Sequence, residues 1–370
     1  MSNARNLSDI VGGNFDIPAN SLDNAVPANG SITTAKLADA NVTTAKLADA
    51  NITTAKIAND SVTSAKVADS VYQANKNMII NGGMKIWQRG TSMASTGNGS
   101  NNYTADRFWV SHNNTSNVTV SQQDGTGAGI GVQYCARVQR NSGSSAANGI
   151  RFGTSLEATD VIRLRGKTLT LSFYARAGAN FSAASNTLGL YLYTGTDVDP
   201  NPNTFASGLW NNTASLAEPN STLTTSWQRF TYTTNAVSST ANALILQFNV
   251  SETGTAGAND YFEITGIQLE EGDQATPYEH RLFQDELSKC QRYFTAWTNG
   301  NVYYGGAYGS SNGFVFLDCP VRMRAVPTVT VSSARVSGAD SSSYNSQERI
   351  GVYMGATNPY IGTSTAEAEL

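Results

Sequence analysis

Two charged clusters, Asp106-Arg107 and Glu270-Glu271, contain the side chains that could take part in acid/base chemistry. A glycosidase needs two carboxylates roughly 5–10 Å apart across a cleft, and no spacing in this sequence establishes that geometry. Arginine forms bidentate pairs with carboxylates, so a structural ion pair between Arg107 and Glu270 accounts for the same residues and is preferred. We therefore predict no catalytic residue and no enzymatic activity.

Histidine and cysteine offer little for metal or nucleophilic chemistry. The chain has only two histidines, His112 and His280, which leaves few ligands for zinc. Cys135, Cys290 and Cys319 are odd in number and widely spaced, so we expect them to be reduced and buried. The nucleotide-binding, hydrolase and zinc-protease motifs are missing from the sequence. No cofactor and no metal are predicted.

A polar loop could supply oxygen ligands to calcium. It contains Asp197, Asp199, Asn201 and Asn203, but it lacks the glycine and the terminal glutamate of an EF-hand. Turn formation by Asp, Asn and Pro explains the loop equally well, so calcium is not predicted.

Aromatic side chains in polar loops could stack on the C–H faces of a sugar while Asn and Asp bind its hydroxyls. Trp210 lies in such a loop, and three tyrosines lie among glycines near the C-terminus. The candidate glycan contacts are therefore Trp210, Tyr303, Tyr304 and Tyr308. Packing at a trimer interface would explain them too. Four other aromatics lie in apolar or alternating stretches and are expected in a core: Trp87, Trp109, Phe173 and Trp227.

Composition favours an all-β chain with more than one folding unit. The 370 residues include 33 glycines and only 14% charged residues, as expected for many short strands joined by polar turns. A net charge of -4 gives no field to attract nucleic acid or an anionic membrane. No apolar run approaches the roughly 18 residues of a membrane-spanning helix, so no membrane insertion is predicted.

Alternating apolar stretches separated by turns predict a jelly-roll-like β-sandwich over residues 75–282. Its predicted strands are 168–174, 188–193, Gln228–Thr233, Ala243–Val250 and 261–269. A connecting helix is predicted over 283–294, with Leu282, Leu287, Cys290 and Phe294 on its packing side. A small C-terminal β domain (295–370) should follow, with strands at 302–304, 313–317 and 328–331 and a frayed end at 363–370.

Four ten-residue repeats precede the sandwich: SITTAKLADA, NVTTAKLADA, NITTAKIAND and SVTSAKVADS, over residues 31–70. Ten residues of an α-helix rotate by about 1000°, which is about 80° short of three full turns. An apolar stripe with this period would move off one face of a helix within two repeats, so a coiled coil is disfavoured. Each repeat has too few apolar residues to bury a core alone, so neighbouring chains must supply surface. The repeats thus predict an oligomeric shaft over residues 30–74. Residues 1–29 are predicted to be an anchor that becomes ordered when it binds a partner.

Several motifs resemble a module common in tail-fibre and other structural proteins of tailed bacteriophages. They are NMIINGGM (77–84), WQRGT (87–91), YTADRF (103–108), IQLEEG (267–272), TPYE (276–279), CQRYF (290–294) and PVRMRAVPTV (320–329). The repeats resemble fibre shafts of the same origin. The stretches LTLSFYAR (169–176) and WQRF (227–230) are similar to the jelly roll of carbohydrate-binding modules, which implies a fold and only weakly a sugar ligand.

The resemblance implies a homotrimeric tail fibre, assembled in the host cytoplasm and carried on the virion. Residues 1–29 would dock on other virion proteins in the tail or portal region, and the β domains would reach a host-surface glycan. One alternative is a head fibre, decoration or tail-assembly protein without a receptor role. Another is a polysaccharide-degrading tailspike, which ranks last because the chain lacks an acid/base constellation and a long parallel β-helix pattern.

Overall fold

The structure is a computed structural model of the chain. It describes residues 75–369 apart from gaps at 96–101, 113–117, 146–148, 207, 298–302, 305, 309–311, 335–338, 341–344 and 355–359. The predicted docking segment (1–29) and repeat shaft (30–74) lie outside the described residues.

Residues 92–271 form strands that build two antiparallel sheets. The strands are β1 (Ser92–Ser95), β2 (Asn102–Tyr103), β3 (Trp109–His112), β4 (Val118–Asp124), β5 (Tyr134–Arg140), β6 (Ile150–Leu156), β7 (Leu169–Ala177), β8 (Thr187–Gly195), β9 (Ala214–Ala217), β10 (Asn220–Thr222), β11 (Gln228–Thr233), β12 (Ala243–Val250) and β13 (Tyr261–Glu271). Two short helices, α1 (Ala158–Ile162) and α2 (Pro202–Ala206), lie in the connections.

Sheet A has the strand order β1-β4-β5-β13-β7-β11, and sheet B has the order β10-β8-β12-β6-β3-β2 with β9 paired to β8. From β5 to β8, and again from β11 to β13, successive strands alternate between the sheets, as in a jelly roll. The prediction of a mostly β chain with a sandwich is confirmed for the described residues. The predicted strands Gln228–Thr233 and Ala243–Val250 are confirmed with their bounds, and each of the other three is two or three residues longer than predicted.

The core lies between the sheets, where side chains from alternate strand positions meet. The inward residues of β7 are Leu169, Leu171, Phe173, Ala175 and Ala177. Phe173 stacks on Phe230 of β11, with ring centroids 5.4 Å apart, and meets the edge of Phe248 of β12 at 4.9 Å. Each buried phenylalanine stabilises the fold by about 1.5–3 kcal/mol.

The segment before β1 is held against the closing strand β13 by the side chain of Asn77. Its amide donates to the carbonyl of Ile267 (3.0 Å), and its Oδ1 accepts from the N–H of Leu269 (3.1 Å). These bonds bridge the irregularity in β13 between Thr265 and Gln268. The first and last motifs of the sandwich therefore form one junction.

Helix α3 spans Phe283–Gln291, and Phe294 starts the next strand instead of ending the helix. Cys290 and Phe294 are buried as predicted, but the prediction for Leu282 is wrong, since it is 75% exposed. Glu286 is buried in its place and accepts a hydrogen bond from the N–H of Asn81. Sequence reasoning missed this because a glutamate on an inward helix position has no apolar signature.

Beyond α3, two small sheets surround a second apolar core that includes Leu317, Met323 and Ile350. The strands are β14 (Phe294–Trp297), β15 (Tyr303–Tyr304), β16 (Gly306–Tyr308), β17 (Asn312–Asp318), β18 (Thr328–Ala334), β19 (Ala339–Asp340), β20 (Arg349–Met354) and β21 (Tyr360–Glu367). One sheet joins β14, β15 and β18 to β21, and the other has the order β16-β17-β20-β19. The prediction of a frayed end at 363–370 is wrong, because β21 pairs with three strands.

Candidate functional site

Strand β12 carries two amide side chains on the outer face of sheet B. Its inward residues Leu244, Leu246 and Phe248 belong to the sandwich core. Because side chains alternate along a strand, Gln247 and Asn249 point to the opposite face. The alternation of ALILQFNV in the predicted strand 243–250 is the sequence signal for this placement. Neither amide is among the candidate contacts predicted from the sequence.

Pairing places aromatic and charged residues beside the two amides. Gln247 lies opposite Gly153 of β6 and Tyr191 of β8, and Asn249 lies opposite Arg151 and Gly189 on the same two strands. Trp109 of β3 is the next residue beyond Gly153. We call this set the sheet B face: Trp109, Arg151, Tyr191, Gln247 and Asn249.

Gly153 gives the Trp109 indole its place on the face. A Cβ atom at Gly153 would lie 2.8 Å from Cζ2 of Trp109 and 2.4 Å from the carbonyl oxygen of Leu246. The Cζ2–Cη2 edge of the indole therefore lies against the glycine, and Trp109 is only 1% exposed. The sequence predicts its burial, but not that it lies outside the sandwich core, in a separate apolar cluster with Trp210, Ala243 and Ile245.

Polar atoms on the sheet B face are buried without a partner. Nε2 of Gln247, Oδ1 and Nδ2 of Asn249 and Nε1 of Trp109 make no hydrogen bond within the described residues. An unsatisfied buried polar group costs about 1–3 kcal/mol, and natural proteins keep few of them. Three neighbouring side chains in this state on one sheet face mark a place where a polar ligand would be stabilising.

The edge of the sheet B face is aromatic and reaches solvent. Tyr191 is 41% exposed, and its ring meets that of Tyr193 edge-on, with centroids 6.1 Å apart. Tyr193 contacts Phe205, which in turn contacts Trp210. Trp210 is 5% exposed and its Nε1 donates to the carbonyl of Asn201 (3.2 Å).

Trp210 is therefore not the exposed glycan contact that the sequence predicts. Its polar loop folds over sheet B, so the indole packs beneath the Tyr193 and Phe205 rings. The other three candidate contacts lie on short strands, Tyr303 and Tyr304 on β15 and Tyr308 on β16. Their side chains fall outside the described part of the chain, so those assignments stay predictions.

The loop considered for calcium uses its carboxylates within the protein. Asp197 accepts from the backbone and side-chain amides of Asn211, and Asp199 accepts from the N–H of Ala158. Within the described residues no group of three or more His, Cys, Asp or Glu side chains could hold a metal ion. None of the helices that the structure describes combines the length and the apolarity needed to cross a membrane.

The predicted ion pair between Arg107 and Glu270 is not formed. Arg107 pairs with Glu369 near the C-terminus, and its guanidinium lies 3.5 Å from the centroid of the Tyr293 ring. Glu270 instead accepts hydrogen bonds from Gln268 (2.9 Å) and from the N–H and hydroxyl of Thr276. Arg107 thus ties the sandwich to the chain end, because β21 brings that end back to it.

Asp106, next to this ion pair, should make stability depend on pH. Burial raises its pKa from the ordinary 3.8 to about 6, although it accepts hydrogen bonds from Gln88. The folded chain therefore keeps this proton to a higher pH than the unfolded chain does. The contribution of Asp106 to the free energy of unfolding is greatest below pH 3.8 and is lost as the pH rises to about 6. Relative to the parent, Asp106→Asn should gain about 3 kcal/mol in unfolding free energy across that window.

Urea unfolding of both chains at several pH values measures this difference. Asp318→Asn is the matched control, because an exposed hydrogen bond from Arg349 lowers the pKa of Asp318 and its effect should have the opposite sign. A difference between Asp106→Asn and the parent that stays constant with pH would contradict the assignment.

Comparison with known proteins assigns no family. No protein-family model and no curated protein match the chain. Among solved structures, the enzymatically active domain of tailspike protein 4 of bacteriophage CBA120 is similar over 53% of this chain and 22% of its own, with 14% identity and a TM-score of 0.33. A CBM4 module aligns over 52% of this chain and 98% of its own, with 15% identity and a TM-score of 0.30. TmCBM61, in complex with β-1,4-galactotriose, aligns over 53% and 99%, with 15% identity and a TM-score of 0.30. Scores this low leave the function to be argued from the site.

Proposed function

We propose that this protein is a homotrimeric fibre protein of a phage virion, and that the sheet B face of its sandwich binds a host-surface glycan. The observation that carries the glycan site is the group of unpaired buried amide atoms on Gln247 and Asn249 beside the exposed ring of Tyr191. The fibre assignment is supported by the ten-residue repeats and by the phage-like motifs of the sequence.

A sugar suits this face for two physical reasons. Each hydroxyl both donates and accepts hydrogen bonds, which matches the donor and acceptor atoms of the amides. The C–H surface of a sugar ring packs on an aromatic ring, which Tyr191 offers at the edge of the face. Tyr191 is exposed, so its ring can change rotamer rapidly and let a hydroxyl reach Gln247.

The remainder of the chain would hold the binding domain away from the particle. Residues 1–29 dock on the tail or portal region, and residues 30–74 form the trimeric shaft. Three weak sites on one assembly gain effective concentration, so the trimer can hold a cell that a single site would release. On this proposal the chain binds a sugar and does not act on it chemically.

Gln247→Leu should weaken glycan binding roughly tenfold or more while leaving stability unchanged or slightly higher. The substitution removes hydrogen bonds worth about 1–3 kcal/mol in the complex, and it replaces an unsatisfied buried amide by an apolar group. We would measure binding of the full chain to arrayed surface polysaccharides of susceptible and resistant bacteria, and unfolding by urea.

Gln139→Leu is the matched control, because Gln139 lies on sheet A and its amide donates to the carbonyl of Ala258. Equal binding by the parent and Gln247→Leu would contradict the proposed face. A loss of stability in Gln247→Leu would instead indicate a structural role for the amide.

The virion role has its own tests. Antibodies to the chain should label a tail appendage in micrographs of the particle, and the purified chain should compete with infection. Label on the capsid without competition would favour a head fibre or decoration protein. Release of reducing ends from host polysaccharide would favour a tailspike.

A further inference from the structure

A cleft of about 180 Å³ lies between the first and last motifs of the sandwich, away from the sheet B face. Its walls come from the turn at Asn81–Lys85, the connection into β5 at 131–134, the closing segment 278–281 and one residue of α3. This volume is below the roughly 300–1,000 Å³ of pockets that bury a drug-sized ligand, so the cleft suits one small ligand.

Two glycines keep this cleft open. A Cβ atom at Gly83 would lie 2.8 Å from the hydroxyl of Tyr278, and one at Gly131 would lie 3.3 Å from the ring of His280. Gly131 also has φ +77°, which other residues rarely adopt. Both aromatic rings can therefore approach the backbone and line the cleft.

The cleft contains a cation that the described residues do not neutralise. The ammonium group of Lys85 makes one long hydrogen bond, 3.5 Å, to the carbonyl of Arg281 and forms no ion pair with a described residue. Arg281 also lines the cleft; its Nε is buried and without a partner among the described residues, and its side chain is 6% exposed. An anion placed here would gain from the charge of Lys85 and could accept a hydrogen bond from this Nε.

The two nearby carboxylates are already engaged. Glu279 accepts from the backbone N–H of Asn77 (2.8 Å), and Glu286 accepts from that of Asn81. Both also face Arg281, with N–O distances of 3.5 and 3.3 Å. Arg281 is thus shared by two carboxylates, and Lys85 is left as a lining cation that pairs with no carboxylate among the described residues.

Aromatic rings form the other wall. Tyr134 and Tyr278 are half-buried, and the Tyr278 ring meets His280 edge-on with centroids 5.1 Å apart. Such rings pack against the C–H face of a sugar, while Lys85 would bind a carboxylate on it. The side-chain amide of Gln133, also in the wall, could bind hydroxyls.

We infer that this cleft is a second glycan subsite, which binds a sugar carrying a carboxylate, such as a uronic acid. The inference rests on the proposed glycan-binding function only for the source of the sugar, since the cleft and the sheet B face share no residue. One face would then recognise neutral hydroxyls, and the cleft would recognise the acidic residue of the same polymer.

Ligand-observed NMR on the full chain tests the subsite with three probes: sodium glucuronate, glucose and inorganic phosphate. Glucuronate should bind saturably and glucose should not, and phosphate should not compete. Lys85→Met, which keeps the aliphatic stem, should weaken glucuronate at least tenfold, and Lys85→Arg should retain most of it. Lys167→Met is the matched control, because Lys167 is exposed and pairs with Glu271 elsewhere.

The outcomes separate the two sites. If Gln247→Leu loses neutral glycans but keeps glucuronate, the subsite stands alone; if it loses both, the separate subsite is wrong. Equal binding of glucuronate and glucose, competition by phosphate, or no binding by the parent would each overturn the inference. So would unchanged binding by Lys85→Met, or an equal loss in Lys167→Met.

Discussion

Glu369→Gln is expected to lower the free energy of unfolding by about 3–5 kcal/mol, the cost of leaving one member of a buried ion pair without its partner. The side chains of Glu369 and Arg107 are 4% and 3% exposed. Without the carboxylate, the Arg107 guanidinium would keep the Tyr293 ring and the carbonyl of Ser155 (2.7 Å) but no counter-charge. Glu369 also lies 3.2 Å from Arg89, which would keep Glu367 and Asp106 as carboxylate neighbours.

Glu367→Gln provides the matched control for this substitution. Glu367 belongs to the same chain end and also approaches Arg89, at 3.4 Å, but its side chain is 46% exposed. A solvent-exposed pair contributes about 0–1 kcal/mol. Urea unfolding at one fixed protein concentration compares the two variants with the parent. Similar losses in both variants would show that burial of Glu369 does not determine its contribution.

Gly82→Ala is expected to destabilise the sandwich by about 3 kcal/mol, at the upper end of overpacking costs. A Cβ atom at Gly82 would lie 2.0 Å from the carbonyl oxygen of Ile267 and 3.1 Å from its carbonyl carbon. Both are backbone atoms of β13, and the N–H of Ile267 donates to the carbonyl of Gly82 (3.0 Å). Neither the turn at Gly82 nor β13 can move without breaking the contact between the first and last motifs.

Gly189→Ala serves as the comparison, because a Cβ atom there would come no nearer than 3.4 Å to a neighbouring atom. That distance is an ordinary van der Waals contact, so little change in unfolding free energy is expected. Thermal or urea unfolding measures both variants. A Gly82→Ala chain as stable as Gly189→Ala would contradict the close approach of the two backbones.

Local patterns in the sequence predicted the sandwich strands well but predicted the candidate site poorly. The bounds of β11 and β12 follow from alternation, which is a property of neighbouring residues. The wrong assignments of Trp210 and of the Arg107 partner depend on long-range folding: one on a loop returning over sheet B, the other on residues 262 positions apart. Alternation does place Gln247 and Asn249 on the face of β12 away from Leu246 and Phe248, so the sequence predicts this part of the candidate site.

Glutamates were the least predictable residues. Glu279 and Glu286 are buried, and both accept hydrogen bonds from the backbone of residues about 200 positions earlier. Their sequence neighbours give no sign of such partners, since a charged residue usually indicates a solvated surface. The burial of Glu279 therefore depends on long-range folding and does not follow from the TPYE motif that contains it.

The way Asn77 joins β13 has a mechanical consequence. Any tension carried along the chain from residue 74 reaches Asn77 and Met78, which hydrogen-bond to Ile267 and Leu269. These residues belong to β13, which lies between β5 and β7 in sheet A. The pull is thus delivered to a strand inside the sheet and not to an edge strand: β7 pairs with β13 over Gln268–Glu271, and β5 pairs with it over Tyr261–Ile264.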